Sequence, residues 1–460
     1  MLAGNDSHNA LANYNYTSPI SVSSTSVDQP IGIATARWFG MLAGDAEIEL
    51  DSTTGSGATF QGRDTVTATD YPYPNASNLL QAGPESNDSA VSADLSNYAA
   101  AAPEVRQLHL EEGYPWQTLT LLSLKEQEQL MFHAFVTHIS QWIDLFDPDR
   151  HFASLVPRLA LRNVGLMNAI LALSVRHKSL SCGGANQPNY AREDALQYYH
   201  ETLQYIRRAM QYETYHTSLE LLATTLIVST YEMLDGSSRD WERHLQGVFW
   251  IQRSQVIHGD SGGLRGAVWW AWLCQDVWAA FRDKRKVFTF WKPEKVTADL
   301  SPVQLAARSV FMLGRVVNYC AQDELNDTPN DIVLRLRTAE SLFAMLDDWA
   351  NLLTPEFCPL PHCQSQTYSS FPSIWIHPPI FAVATQVYHA TRILVLLHRP
   401  TLGGVKETLQ RQNSLDGHVD MICGVARMLS CYASSTISSQ CLFIGRSPCP
   451  RRCHLLLICP

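Results

Sequence analysis

WWAWLCQDVWAAFRDKRKVF, Trp269 to Phe288, is the stretch on which the fold turns. On a helical wheel Trp269, Trp272, Leu273 and Ala280 fall close together, and Trp270, Val277 and Phe281 widen that face. Trp278 lies opposite. A helix apolar on nearly every side is a buried helix with neighbours all round. Each indole removes roughly 200 Å² from water, worth up to about 5 kcal/mol gross. The rings Trp241, Phe249, Trp269, Trp272 and Trp278 are therefore expected to fill a core or to line a pocket between this helix and its sequence neighbours.

Asp276 is the odd residue on that face. A buried carboxylate needs a cation or several donors. Arg265 on the same face, and Arg243 and His244 on the preceding helix, are the expected partners. Arg282, Lys284, Arg285 and Lys286 close the helix, where cations complement its C-terminal dipole. The same cluster would also serve nuclear import or an acidic partner.

Outward from this centre, apolar residues recur at helical spacing. A helix is expected after the Ser123–Glu126 capping signal, carrying Met131, Phe135, Ile139, Trp142, Ile143 and Phe146 up to Asp147-Pro148. Others are expected over 159–177, 190–212, 218–234, 241–257 and 266–282, joined by short loops. Beyond Pro293 four more are expected, over 302–321, 331–353, 379–397 and 415–433. No stretch alternates with period two. The fold class is all-α, a multi-helix antiparallel, solenoid-like body behind a disordered N-terminal region.

Residues 1–112 are rich in Ser, Thr, Asn, Ala and Gly and are disordered by composition. Residues 1–102 hold eleven Asp/Glu against Arg37 and Arg63, so of the net charge of −10 only about −1 remains for residues 103–460. A neutral body has no basic field for a phosphate backbone. RWFGMLAGDAEIEL, Arg37 to Leu50, is an acidic-hydrophobic segment suited to folding onto a partner or onto its own body. The start lacks a basic and apolar leader, and the stretch from Pro379 to Leu397 is broken by Gln386, His389 and Arg392, so no membrane role is expected. Eleven cysteines without a disulfide framework fit a reducing compartment. The helical body is expected over 113–435, and residues 436–460 are an atypical Cys-rich tail, of which 441–460 are either a gene-model or splice artefact or an unstructured end.

Chemistry-bearing motifs are sparse. Gly259-Asp-Ser-Gly-Gly263 copies the segment around a serine-protease nucleophile, but a helical chain lacks the barrels and the His base; a glycine turn with Ser261 as helix cap is expected. Asp147-Pro-Asp-Arg-His151 groups two acids and a His, and a helix-ending turn is the expected role. No structural-zinc spacing, His-Glu-x-x-His or phosphate loop appears. Neither catalysis nor a cofactor is expected.

The order of motifs resembles a known family. DWERHLQGVFWIQRSQ (240–255) and GGLRGAVWWAWLCQDVWAAFRDKRKVFTFWKP (262–293) are similar to the regulatory domain of fungal-specific transcription factors. WIDLFDPDRHF (142–152), LMNAILALSVRH (166–177) and LVLLHRP (394–400) follow the family's order. The resemblance implies a nuclear transcriptional regulator with partners in the transcription machinery or among co-regulators. It also implies contacts of a homodimer and a small-molecule effector. Zinc belongs to the family's N-terminal six-cysteine cluster. No cysteine precedes Cys182, so that module is expected to be missing from this sequence by truncation, a wrong start or loss. DNA binding is expected only where the module is present. The alternative is a helical scaffold that does not touch DNA.

Overall fold

The computed structural model describes residues 114–180, 191–236, 238–289, 291–321, 331–362, 371–401 and 403–446. The expected disorder of the first 112 residues, the Arg37–Leu50 segment and positions 447–460 lie outside them.

Eleven helices carry the architecture: α1 Glu126–Ala134, α2 Val164–Leu180, α3 Arg192–Ala209, α4 Leu219–Asp235, α5 Ser238–Ser254, α6 Gly263–Asp283, α7 Pro302–Cys320, α8 Ile332–Asn351, α9 Pro379–His398, α10 Val405–Ala426 and α11 Ser435–Arg446. Short helical turns fill the links, among them Asp144–Phe146 and His151–Ser154. Among the described residues there is no β-strand, only one bridge between Leu360 and Trp375. The chain is all-α.

Sequence pattern decides which helices lie inside. Val164 to Val175 of α2 and Glu220 to Glu232 of α4 are buried without interruption. Such helices have no solvent face, so they must be covered on all sides. Packing runs α2 to α4, α4 to α6, α6 to α7, α7 to α9 and α9 to α11, which makes a spine. The amphipathic helices flank it: α3 lies on α2, α5 on α4 and α6, α8 on α7 and α9, and α10 on α9 and α11. In α8 only Ala339, Leu342, Leu346 and Trp349 are buried, one narrow stripe.

Boundaries moved where capping chemistry competes with hydrophobic period. Ser123 stays outside α1, and Glu128 instead reaches back to the Lys125 N–H at 2.9 Å. The helix expected over 159–177 is broken, because Asn163 accepts the Leu166 N–H at 2.8 Å and restarts it. Ser218 caps α4 as its sequence signals, accepting the Leu221 N–H at 3.1 Å.

The C-terminal boundary needs correction. Residues 436–446 are not tail: they form α11, which buries Ser438, Cys441, Ile444 and Gly445 against α9 and α10. The Cys and Gly residues that obscured the helical period are its small inward positions. Likewise α10 begins ten residues before the expected Leu415 and stops at Ala426.

Helix α9 is long and apolar enough to cross a membrane, yet most of it is buried within this body. Buried Gln386 donates to the Ile422 carbonyl of α10 at 2.9 Å. One turn on, His389 faces His418 with their Nδ1 atoms 2.8 Å apart. Burial, reinforced by the neighbouring His418, holds the His389 pKa down at about 3; burial, then Arg392, holds His418 at about 4. Both rings are neutral in the fold, whereas unfolded imidazoles take up protons below about pH 6.5. Their contribution to stability is thus full above that pH and is lost as pH falls toward the folded values. His418→Gln removes one titrating group, so between about pH 7.5 and about pH 5 the unmodified protein should lose about 1–2 kcal/mol more stability than the variant in urea unfolding. Equal losses would refute the assignment.

Candidate functional site

Helix α6 is the crossing point of the body, and each polar group it buries is handed to a different neighbour. Gln275 accepts from Ser229 Oγ at 2.8 Å and donates to Thr230 Oγ1 at 2.9 Å, both on α4. Trp272 Nε1 donates to the Leu245 carbonyl of α5 at 3.0 Å. These bonds fix rotation and register where apolar packing alone would tolerate sliding.

Asp276 is fully buried, and its partner is none of the three expected from the sequence. Arg285 Nη2 donates to Asp276 Oδ1 at 2.8 Å, and the Phe288 N–H donates to Oδ2 at 2.8 Å. Arg285 Nε reaches Glu242 of α5 at 2.8 Å. The segment after α6 turns back through Lys284, whose φ is 55°, and this reversal delivers Arg285 beneath the helix. Arg265, Arg243 and His244 are not its partners. Arg265 is exposed one helical end away, and Arg243 is exposed on α5. His244 is buried but pairs with Glu232, which also accepts from Tyr199 Oη at 2.7 Å. Burial raises the Asp276 pKa, and the Arg285 charge and the Phe288 N–H pull it back.

The aromatic residues divide in the same way. Trp269 and Trp272 are buried, Phe249 stacks on Trp272 at 5.8 Å and on Phe288 at 5.7 Å, and Trp241 is buried beneath the Arg282 guanidinium. Half-buried Trp278 faces the other way, stacked on Phe281 and edge-on to Phe443 of α11. Beside it the crevice shared by Cys274, Cys441 and Ile444 has only about 20 Å³, the room of one water. These rings pack against one another and enclose no ligand-sized space at that point. Of the terminal basic group, Arg282, Lys284 and Lys286 are exposed, but Arg285 is drawn inward onto Asp276 and Glu242 and leaves the surface cluster.

Ligand-sized space exists elsewhere. A cavity of about 360 Å³ opens between the start of α6 and α7, lined by both motifs set aside in the sequence. On one side Asp147 accepts the His151 N–H at 2.7 Å and contacts His151 Nδ1 at 2.8 Å, starting the turn at His151. Asp144 accepts the Phe152 and Ala153 N–H groups at 2.9 and 2.8 Å, and burial raises its pKa to about 7. Ligand atoms of Asp147, Asp149 and His151 lie within 4.8 Å of one another, close enough for a cation. Asp147 already spends both oxygens on backbone donors, since its Oδ1 takes the Asp149 N–H at 3.2 Å, so capping accounts for the group.

On the other side lies the glycine turn. Ser261 does not cap α6, in contrast to the expectation: Gly262 holds that position, and Ser261 Oγ accepts from the His258 N–H at 3.0 Å. A Cβ on Gly259 would stand 2.6 Å from the Trp291 ring, and one on Gly266 would stand 2.1 Å from the Ser261 carbonyl oxygen. The glycines therefore allow close approach. Asp260 Oδ2 accepts from Trp291 Nε1 at 2.7 Å. Trp291 in turn touches Trp269, Trp270 and Phe311 edge-on and lies under Arg308 of α7. Trp291 and Arg308 both line this cavity, and neither was singled out by periodicity: Trp291 lies outside any helix, and Arg308 sits in an apolar run where a lone cation reads as a surface position.

The Asp276 pairing yields a direct contrast. Arg285→Met leaves a buried carboxylate without its cation and should cost about 3–5 kcal/mol in chemical denaturation, while Arg265→Met should cost less than about 0.5 kcal/mol. Equal effects would mean that Arg285 is not the partner.

No curated protein and no solved structure matches the chain. A family model described as the fungal specific transcription factor domain matches residues 129–255, from within α1 to the residue after α5. The motif order seen in the sequence and the all-α body agree with that match, and residues 129–255 are similar to the fungal specific transcription factor domain.

Proposed function

We propose that this chain is a transcriptional regulator of the fungal zinc-cluster type, represented by its helical regulatory part and acting in the nucleus through co-regulators or the transcription machinery. The match over 129–255 is the observation that carries this reading. The arrangement of the body supports it. Buried polar groups on α6 are spent on bonds that hold its neighbours in place, which suits a domain that works by contact. Its near-neutral charge suits protein surfaces better than a phosphate backbone. DNA would be engaged through a zinc-cluster module, not through these helices. Copies of the chain pairing as a homodimer would bring two such modules together.

Fusing the full chain to an unrelated DNA-binding module tests this in a fungal host carrying the matching reporter. The fusion should enter the nucleus and change reporter output at least threefold relative to the module alone, in either direction. Arg285→Met, which disrupts the α6 crossing, should abolish that change. Unchanged output from a stably expressed fusion would overturn the regulatory reading, and exclusion of the unfused chain from the nucleus would favour a helical scaffold.

A further inference from the structure

The cavity between Asp147–His151 and the Gly259–Gly263 turn holds an unanswered charge. Arg308 on α7 is only 7% exposed, and its guanidinium lies over the rings of Trp291 and Phe311, 5.1 and 5.8 Å from their centroids. Those contacts spend none of its N–H donors on an acceptor. Among the described residues no carboxylate or carbonyl accepts from the guanidinium, and the buried Nε has no acceptor. An arginine cannot shed its proton to escape, so a buried guanidinium without an acceptor is costly in the fold.

The contrast with Arg285 is instructive. Arg285 closes on Asp276 and Glu242, whereas the charge nearest Arg308 to have any effect on it is Asp260. Asp260 Oδ2 is turned to the Trp291 indole and the Glu294 N–H. We propose that this cavity is a binding site for a small organic monocarboxylate whose carboxylate takes the free edge of Arg308.

The lining limits the ligand further. A planar two-donor edge matches a carboxylate. Trp291 and half-buried Trp270 offer ring surfaces to an apolar or aromatic body. Asp147, Asp149 and Asp260 share the lining with Arg308 and Lys295, so a second negative charge would be repelled. At about 360 Å³ the space falls within the range of metabolite-sized pockets. This site stands apart from the transcriptional reading, because binding at the cavity does not depend on what the chain regulates.

Calorimetric titration of the full chain with carboxylates and their neutral amides decides the matter: benzoate against benzamide, indole-3-acetate against indole-3-acetamide, isobutyrate against isobutyramide. At least one carboxylate should bind in the millimolar range or tighter, with its amide at least tenfold weaker. Arg308→Gln should lose at least tenfold in affinity for that carboxylate without lowering the melting temperature of the unliganded protein, since it removes a buried cation that has no partner. Asp149→Asn, at an exposed position on the lining, should strengthen binding. No carboxylate binding, amides binding equally well, or unchanged affinity in Arg308→Gln would each overturn the site. Should Arg308→Gln fail to fold, the carboxylate–amide comparison on the unmodified protein is sufficient by itself.

Discussion

A helix with no polar face cannot end at water, and this single constraint organises the body. Twelve consecutive buried positions in α2 and thirteen in α4 oblige other helices to close around them. The solution is a spine running α2, α4, α6, α7, α9 and α11, with amphipathic helices laid along its flanks. Apolar surface supplies most of the driving force but little direction. Direction comes from the few polar atoms that must still find partners inside: Gln275 with Ser229 and Thr230, Trp272 with Leu245, Asp276 with Arg285. These bonds tie α6 to α4, to α5 and to the segment that follows it, so α6 cannot rotate without orphaning a buried group.

The same reasoning explains what could be read from the sequence and what could not. Helices announced themselves wherever apolar residues recur with a period of 3.6, and the buried rank of Trp269, Trp272 and Asp276 followed from the wheel alone. The identity of the Asp276 partner did not. Arg265, Arg243 and His244 were near in sequence or on the adjoining helix, but the reversal at Lys284 brings Arg285 underneath instead. A left-handed Lys at a helix end carries no sequence signal as strong as a glycine would. Likewise α11 was hidden because Cys441 and Gly445, its inward residues, are poor markers of an apolar stripe. The cavity beside Arg308 joins loops more than a hundred positions apart, and no local pattern reports such a meeting.

Short motifs change meaning with the scaffold beneath them. The pentapeptide Gly259–Gly263 has the letters of a protease loop, yet its serine accepts the His258 N–H and its glycines admit Trp291 and the Ser261 carbonyl at close range. The acids of Asp147–His151 resemble a cation site, yet Asp147 spends its oxygens on the backbone of its own turn. In both cases hydrogen-bond accounting, atom by atom, separates a structural use from a chemical one.

Two arginines then show why that accounting points outward as well as inward. Arg285 and Arg308 both come from the edges of the α6 region, and both place a guanidinium against aromatic rings. Arg285 reaches two carboxylates and closes its own circuit, which makes it part of the frame. Arg308 reaches none, though the fold buries it more completely than many apolar side chains. A folded chain that retains an uncompensated cation beside a cavity has left part of its electrostatic complement to be provided from outside. An anion that enters restores to Arg308 what Asp276 provides for Arg285, and the free energy released is available to hold α6 and α7 in one arrangement over another. Under the regulatory role proposed above, that is a physical route from a small molecule to a change in the surface presented to partners.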